Sequence, residues 1–102
     1  MDSDMEIIWS AKAKTTFYLV LDYLNENWTK KESLQFFNRT QLTINAIIKN
    51  PHLFPASAKN KEIRKAIVDK NNSFYYIIDT YNQKIHLLTF FDSRQDPQKL
   101  ML

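Results

Sequence analysis

The 102-residue chain has no glycine and no cysteine, only two histidines and only three prolines. Each shortage removes a class of function. Without glycine there is no Gly-rich phosphate loop, in which backbone must approach the ligand with no Cβ in the way. Without cysteine there is neither a disulfide framework nor a thiolate metal site. His52 and His86 lie far apart without ligand spacing, so a protein with no metal and no cofactor is expected. No apolar run approaches the roughly 20 residues that cross a bilayer, so no membrane role is expected either. The start, MDSDMEII, carries acids where a signal peptide carries bases. Together these make a cytoplasmic protein the expectation. A Ser-His-Asp site has no local support.

The apolar fraction of 44% and charged fraction of 25% are ordinary for a soluble globular protein. At this length a single domain, 1–102, with one core is expected. The net charge of +3 is small, but its distribution is uneven. Lys49, Lys59, Lys61, Arg64, Lys65 and Lys70 stand against only Glu62 and Asp69. Such a segment can face phosphate or an acidic protein, or be a solvated lysine-rich surface. With glycine absent, the asparagines of KNNS (70–73) and YNQK (81–84) are expected to take positive φ in tight turns.

MEIIWS (5–10) mixes β-branched and aromatic residues and reads as a short strand. Ser10 can then cap a helix over 11–28, where Ala13, Phe17, Val20, Leu21, Leu24 and Trp28 recur at helical spacing. TKKE (29–32) is a capping-box pattern. It opens a second helix that carries Leu34, Phe37, Ile44, Ile47 and Ile48 inward and stops before Pro51. Two helices joined this tightly should form an antiparallel hairpin. After a loop over 50–60, three strand-like runs follow: KEIRKAIVDK, SFYYIIDT and KIHLLTFFD. The expected fold is α+β, ordered β-α-α-β-β-β, an antiparallel sheet with the helical hairpin on one face.

Alternation in the last two strands leaves both faces apolar. Phe74, Tyr76 and Ile78 point one way and Tyr75 and Ile77 the other; Ile85, Leu87 and Phe91 oppose Leu88 and Phe90. One helical hairpin covers one face. The face carrying Tyr75, Ile77, Leu88 and Phe90 therefore suits a protein partner, unless Leu53, Phe54 and the tail KLML fold back over it.

Metal-free RNA cleavage is one chemistry open to cations on a sheet. It needs a base for the 2′-hydroxyl, an acid for the leaving oxygen and cations for the charge growing on phosphorus. Arg64 and Arg94 could supply the charge, and Lys61, Lys65 or His86 the proton transfers. Each also has a structural reading: His86 as a partly buried, hydrogen-bonded residue, the lysines as solvated groups, Arg64 in an ion pair, and Arg94 clipped between Asp92 and Asp96.

In their order and spacing these segments resemble the RelE/ParE superfamily of toxins from type II toxin–antitoxin modules. The stretches that carry the likeness are IIWSAKAKTTFYLVLDYLNENW, IIKNPHLFP, IRKAIVDKNNSFYYIID and IHLLTFFDSRQDPQKL, with its terminal D-x-R-x-D-P. The resemblance covers nearly the whole chain and implies a bacterial growth inhibitor of the plasmid-stabilisation kind, assembled with and neutralised by a cognate antitoxin. RelE-like members cleave mRNA on the ribosome, as metal-independent endoribonucleases. ParE-like members bind DNA gyrase. No tyrosine or histidine follows Phe91, and Phe74-Tyr75-Tyr76 stands where many RelE-like members carry an arginine. The resemblance thus implies the ParE-like branch, a binder rather than an enzyme. The RelE-like alternative would place Arg64, Arg94, Lys61 and His86 in a catalytic site.

Overall fold

The computed structural model describes residues 5–95. Six elements run in the expected order: β1 (Glu6–Trp9), α1 (Ala11–Asn27), α2 (Lys30–Lys49), β2 (Ile63–Ile67), β3 (Asn72–Asp79) and β4 (Lys84–Asp92). Ser10 starts α1 by accepting the Ala13 N–H on its hydroxyl. At α2 the capping box forms: the Thr29 hydroxyl accepts from Lys31 N–H, and the Glu32 carboxylate accepts from Thr29 N–H. Only Trp28 and Thr29 separate the helices, so the chain must reverse. Ser33 donates across the turn to Asn25 at 2.8 Å, and Phe17 of α1 meets Phe36 of α2 at 5.4 Å. Among the described residues no helix is long and apolar enough to cross a membrane.

The core lies between the hairpin and one sheet face. Ala13, Phe17, Val20 and Leu24 of α1 join Phe36, Ile44 and Ile47 of α2 against Ala66, Phe74, Tyr76, Ile85, Leu87 and Phe90. The inward stripe of α2 differs from the expected one. Leu34 and Phe37 are 52% and 42% exposed, whereas Ser33, Phe36 and Thr40 are buried. Two polar members hide the true stripe from a reading based on apolar spacing. Trp28 likewise leaves the helix and lies at its cap. Among the described residues the buried Thr40 hydroxyl has no hydrogen-bond partner, and an orphaned polar group costs about 1–3 kcal/mol. Thr40→Val keeps the shape and removes the orphan. It should raise stability by about 1 kcal/mol in denaturant unfolding; a lower midpoint would show that the hydroxyl is satisfied.

The strand order is β1-β4-β3-β2. The β2–β3–β4 meander is antiparallel as expected, but β1 pairs parallel to β4, from Glu6↔Lys84 to Trp9↔Leu87. The sheet is mixed rather than wholly antiparallel. Periodicity reports the face a strand buries and says nothing of the direction of a neighbour some 75 residues away.

A β-bulge interrupts β4. Tyr75 pairs with Thr89 and Tyr76 with Leu87, leaving Leu88 as the extra residue. Ile85 and Leu87 point into the core, and past the bulge so does Phe90. The turns also differ from expectation. Among the described residues only Gln83 has positive φ, at 55°. In the first turn the Asp69 carboxylate accepts the N–H groups of Asn71 and Asn72, which closes it without a left-handed residue. In the second, Asp79 holds both the N–H and the side chain of Asn82, and the reversal falls to the next residue.

Candidate functional site

On the sheet face away from the helices, Tyr75, Ile77, Leu88 and Phe91 are half-buried and lie outside the core cluster among the described residues. Register places Ile63, Ile77 and His86 in one row and Lys65 with Tyr75 in the next. Tyr75 stacks on Phe91 at 5.8 Å, and the Lys65 ammonium sits 5.4 Å from the Phe91 ring. Ile67, at the sheet edge, is 47% exposed. None of Tyr75, Ile77, Leu88 or Phe91 belongs to the core or packs against it. Phe54 packs on the core and Leu53 is exposed, so neither serves as a cover. The KLML tail lies outside the described residues. The surface is an aromatic and aliphatic stripe rimmed by charge, of the kind proteins use to bind one another.

One expected member is corrected. Phe90 does not stand on this face; it is 2% exposed and packs on Trp9, Phe17 and Phe74 at 5.3, 5.2 and 4.9 Å. Phe91 takes its place. The bulge at Leu88 shifts the alternation by one residue, and nothing in the run LLTFFD marks where the shift falls.

At the far end of β4, Asp92 is fully buried and holds Arg94. The guanidinium donates from Nε to Oδ1 at 2.8 Å and from Nη2 to Oδ2 at 2.5 Å. Its carbon lies 4.4 Å from the Trp28 ring and 5.9 Å from that of Tyr23. Hydrogen bonding to Asp92 raises the Arg94 pKa further, so the charge is permanent. The pair ties the end of the sheet to the turn of the helical hairpin. Asp96, the other expected neighbour, lies outside the described residues. Beside Arg94 opens a cleft of about 420 Å³ lined by Arg39, Lys70, Glu32 and Asp69 among others. Its lining carries three cations, Arg39, Lys70 and Arg94, against two carboxylates, Glu32 and Asp69, and Arg94 is already paired with Asp92.

The remaining candidates do not gather there. Arg64 is on the helix side of β2, where Nη1 donates to the Phe54 carbonyl at 2.6 Å and pins the 50–60 loop. Tyr76, its cross-strand partner, donates to the Pro51 carbonyl at 2.7 Å. Four residues of strand, about 13 Å, separate this row from the one that ends at Asp92. His86 is on the opposite face, 3.8 Å from Asp79. Hydrogen bonds from Asn82, with His86 adding to them, hold the Asp79 carboxyl below its usual range. Lys61 is exposed just before β2. Among the described residues, Arg64, Arg94, Lys61 and His86 therefore do not gather at one site.

Burial raises the Tyr76 phenol above its ordinary 10.0, with the charge of Arg64 pulling the other way. The folded state thus holds the phenolic proton more tightly than the unfolded one. The resulting stability is fully present below pH 10.0 and is lost as pH rises beyond that through the higher value of the folded state. Tyr76→Phe should shallow the alkaline loss of stability; an unchanged pH slope would contradict this.

No family model matches the sequence, nor does any curated protein. Solved structures do match. The fold is that of the RelE/ParE toxins. Among them is a structure of the chromosomal ParDE toxin–antitoxin system from P. aeruginosa, with TM-score 0.70 and 11% identity, covering 86% of this chain and 95% of that one. The RelBE2 toxin–antitoxin complex from Mycobacterium tuberculosis gives 0.63 and 9%, covering 88% and 99%. The DinJ-YafQ toxin–antitoxin complex from E. coli gives 0.61 and 12%, covering 88% and 93%.

Proposed function

We propose that the chain is the toxin component of a type II toxin–antitoxin module, held inactive by a cognate antitoxin on its open sheet face. The observation that carries this is the half-buried stripe of Tyr75, Ile77, Leu88 and Phe91, which no helix or loop covers among the described residues. Likeness of fold to toxins solved in toxin–antitoxin complexes supports the same reading. Of the two toxin mechanisms we favour the ParE-like one, binding of DNA gyrase without RNA cleavage. Its support is the dispersal of Arg64, Arg94, Lys61 and His86, two of which are engaged in holding the fold. Nucleolytic action at the ribosome would instead need those groups side by side.

Purified protein added to a gyrase supercoiling reaction tests the branch. Loss of supercoiling, with transcripts intact after induction in cells, is the expected result. Transcripts cut within coding sequence and an unaffected gyrase would replace it with the RelE-like reading.

A further inference from the structure

The side chains offered by the open face depend on the bulge at Leu88, and α1 holds that bulge. A bulge strands backbone groups that a regular ladder would pair. Here they turn to the first turns of the helix behind the sheet. The Ser10 hydroxyl donates to the Leu88 carbonyl at 3.0 Å, one residue beyond the Ser10 N–H to Leu87 carbonyl bond of 3.2 Å that closes the parallel β1–β4 ladder. The Thr16 hydroxyl accepts the Phe90 N–H at 2.8 Å and lies 3.4 Å from the Thr89 hydroxyl. Its own proton goes to the Lys12 carbonyl at 2.7 Å. Thr16 is 8% exposed and Thr89 fully buried, so these groups have little recourse to water.

Without the extra residue, strict alternation from Ile85 and Leu87 would send Phe91 into the core and Phe90 out. The bulge reverses that pair. It places Phe91 on Tyr75 and puts Phe90 among Trp9, Phe17 and Phe74. Asp92 is carried to the buried side with it, where it meets Arg94.

We infer that Thr16, with Ser10, is a positioning residue for the partner-binding face: its hydroxyl fixes the register of β4 and so decides that Phe91 rather than Phe90 is presented. The inference rests on the reading of that face as a docking surface, but it can be tested on the chain alone. Thr16→Val preserves shape and leaves the Phe90 N–H without an acceptor. Residue-resolved amide exchange should then show at least tenfold loss of protection over Leu88 to Phe91, with the Tyr75–Phe91 ring contact weakened in the NMR spectrum. Ala66 and Phe74, on the β2–β3 ladder, should change less than threefold. Thr16→Ser, which keeps the hydroxyl, should behave as the parent protein. Should Thr16→Val not fold, Ser10→Ala asks the same question at the Leu88 carbonyl and should give the same local loss. Unchanged protection at Phe90, or a loss spread evenly over the sheet, would overturn the inference. Neither outcome depends on whether an antitoxin binds.

Discussion

Replacing Arg94 by alanine should cost the fold about 2–3 kcal/mol. Removing one member of a buried ion pair typically costs about 3–5 kcal/mol, because the other charge stays buried without compensation. The Asp92 side chain is fully buried, whereas 30% of the Arg94 side chain meets solvent, and that exposure lowers the figure. The variant also loses the stacking of the guanidinium on Trp28. For a chain this short the loss corresponds to a drop of roughly 10–20 °C in the thermal midpoint. Arg94→Lys should recover little of it, since an ammonium cannot match both carboxylate oxygens and the ring at once. A variant within about 0.5 kcal/mol of the parent would show instead that Arg94 is held for a ligand and not for the fold.

If the proposed antitoxin docks on this face, Ile77→Asp should leave the fold nearly as stable and strongly weaken its capture. Ile77 lies on the open face, outside the core, so a carboxylate there stays hydrated in the free protein. In the complex the same carboxylate would be buried without a partner. Central interface positions are worth about 2–4 kcal/mol, which is roughly 30- to 1,000-fold in affinity. Tyr75→Asp should act similarly and also lose the Phe91 stack. Leu42→Asp is the control: Leu42 is 68% exposed on α2, away from the sheet, and its substitution should leave binding unchanged. Pull-down and titration with the co-expressed antitoxin give the numbers. Equal affinity for Ile77→Asp and the parent would move the docking surface elsewhere.

Much of this architecture is legible in the sequence because it depends on local chemistry. Ser10, the Thr29–Glu32 box and Pro51 mark the helix ends, and β4 begins and ends where its apolar run does. Features that depend on distant or polar contacts were not legible. The parallel pairing of β1 needs a partner beyond reach of any local pattern. The inward stripe of α2 passes through Ser33 and Thr40, which apolar spacing passes over. The exchange of Phe90 for Phe91 needs a bulge whose stabilisers, Ser10 and Thr16, lie about 75 residues earlier. Of the site, Tyr75 and Ile77 follow from simple alternation along β3, and Leu88 from alternation along β4 up to the bulge it forms. Lys65 and Phe91 were missed as partner-facing residues for want of that register. Arg94 draws the eye through its acidic neighbours, but only burial identifies Asp92 as its partner and gives the pair a structural purpose.

The claim that this chain is a toxin restrained by a partner is tested most directly by inducing it in bacterial cells alone and together with the gene beside its own. Induced alone, the protein should halt growth within a few generations, and co-expression of its neighbour should restore growth and yield a soluble complex of the two proteins. Normal growth with abundant, folded protein and no partner would contradict it.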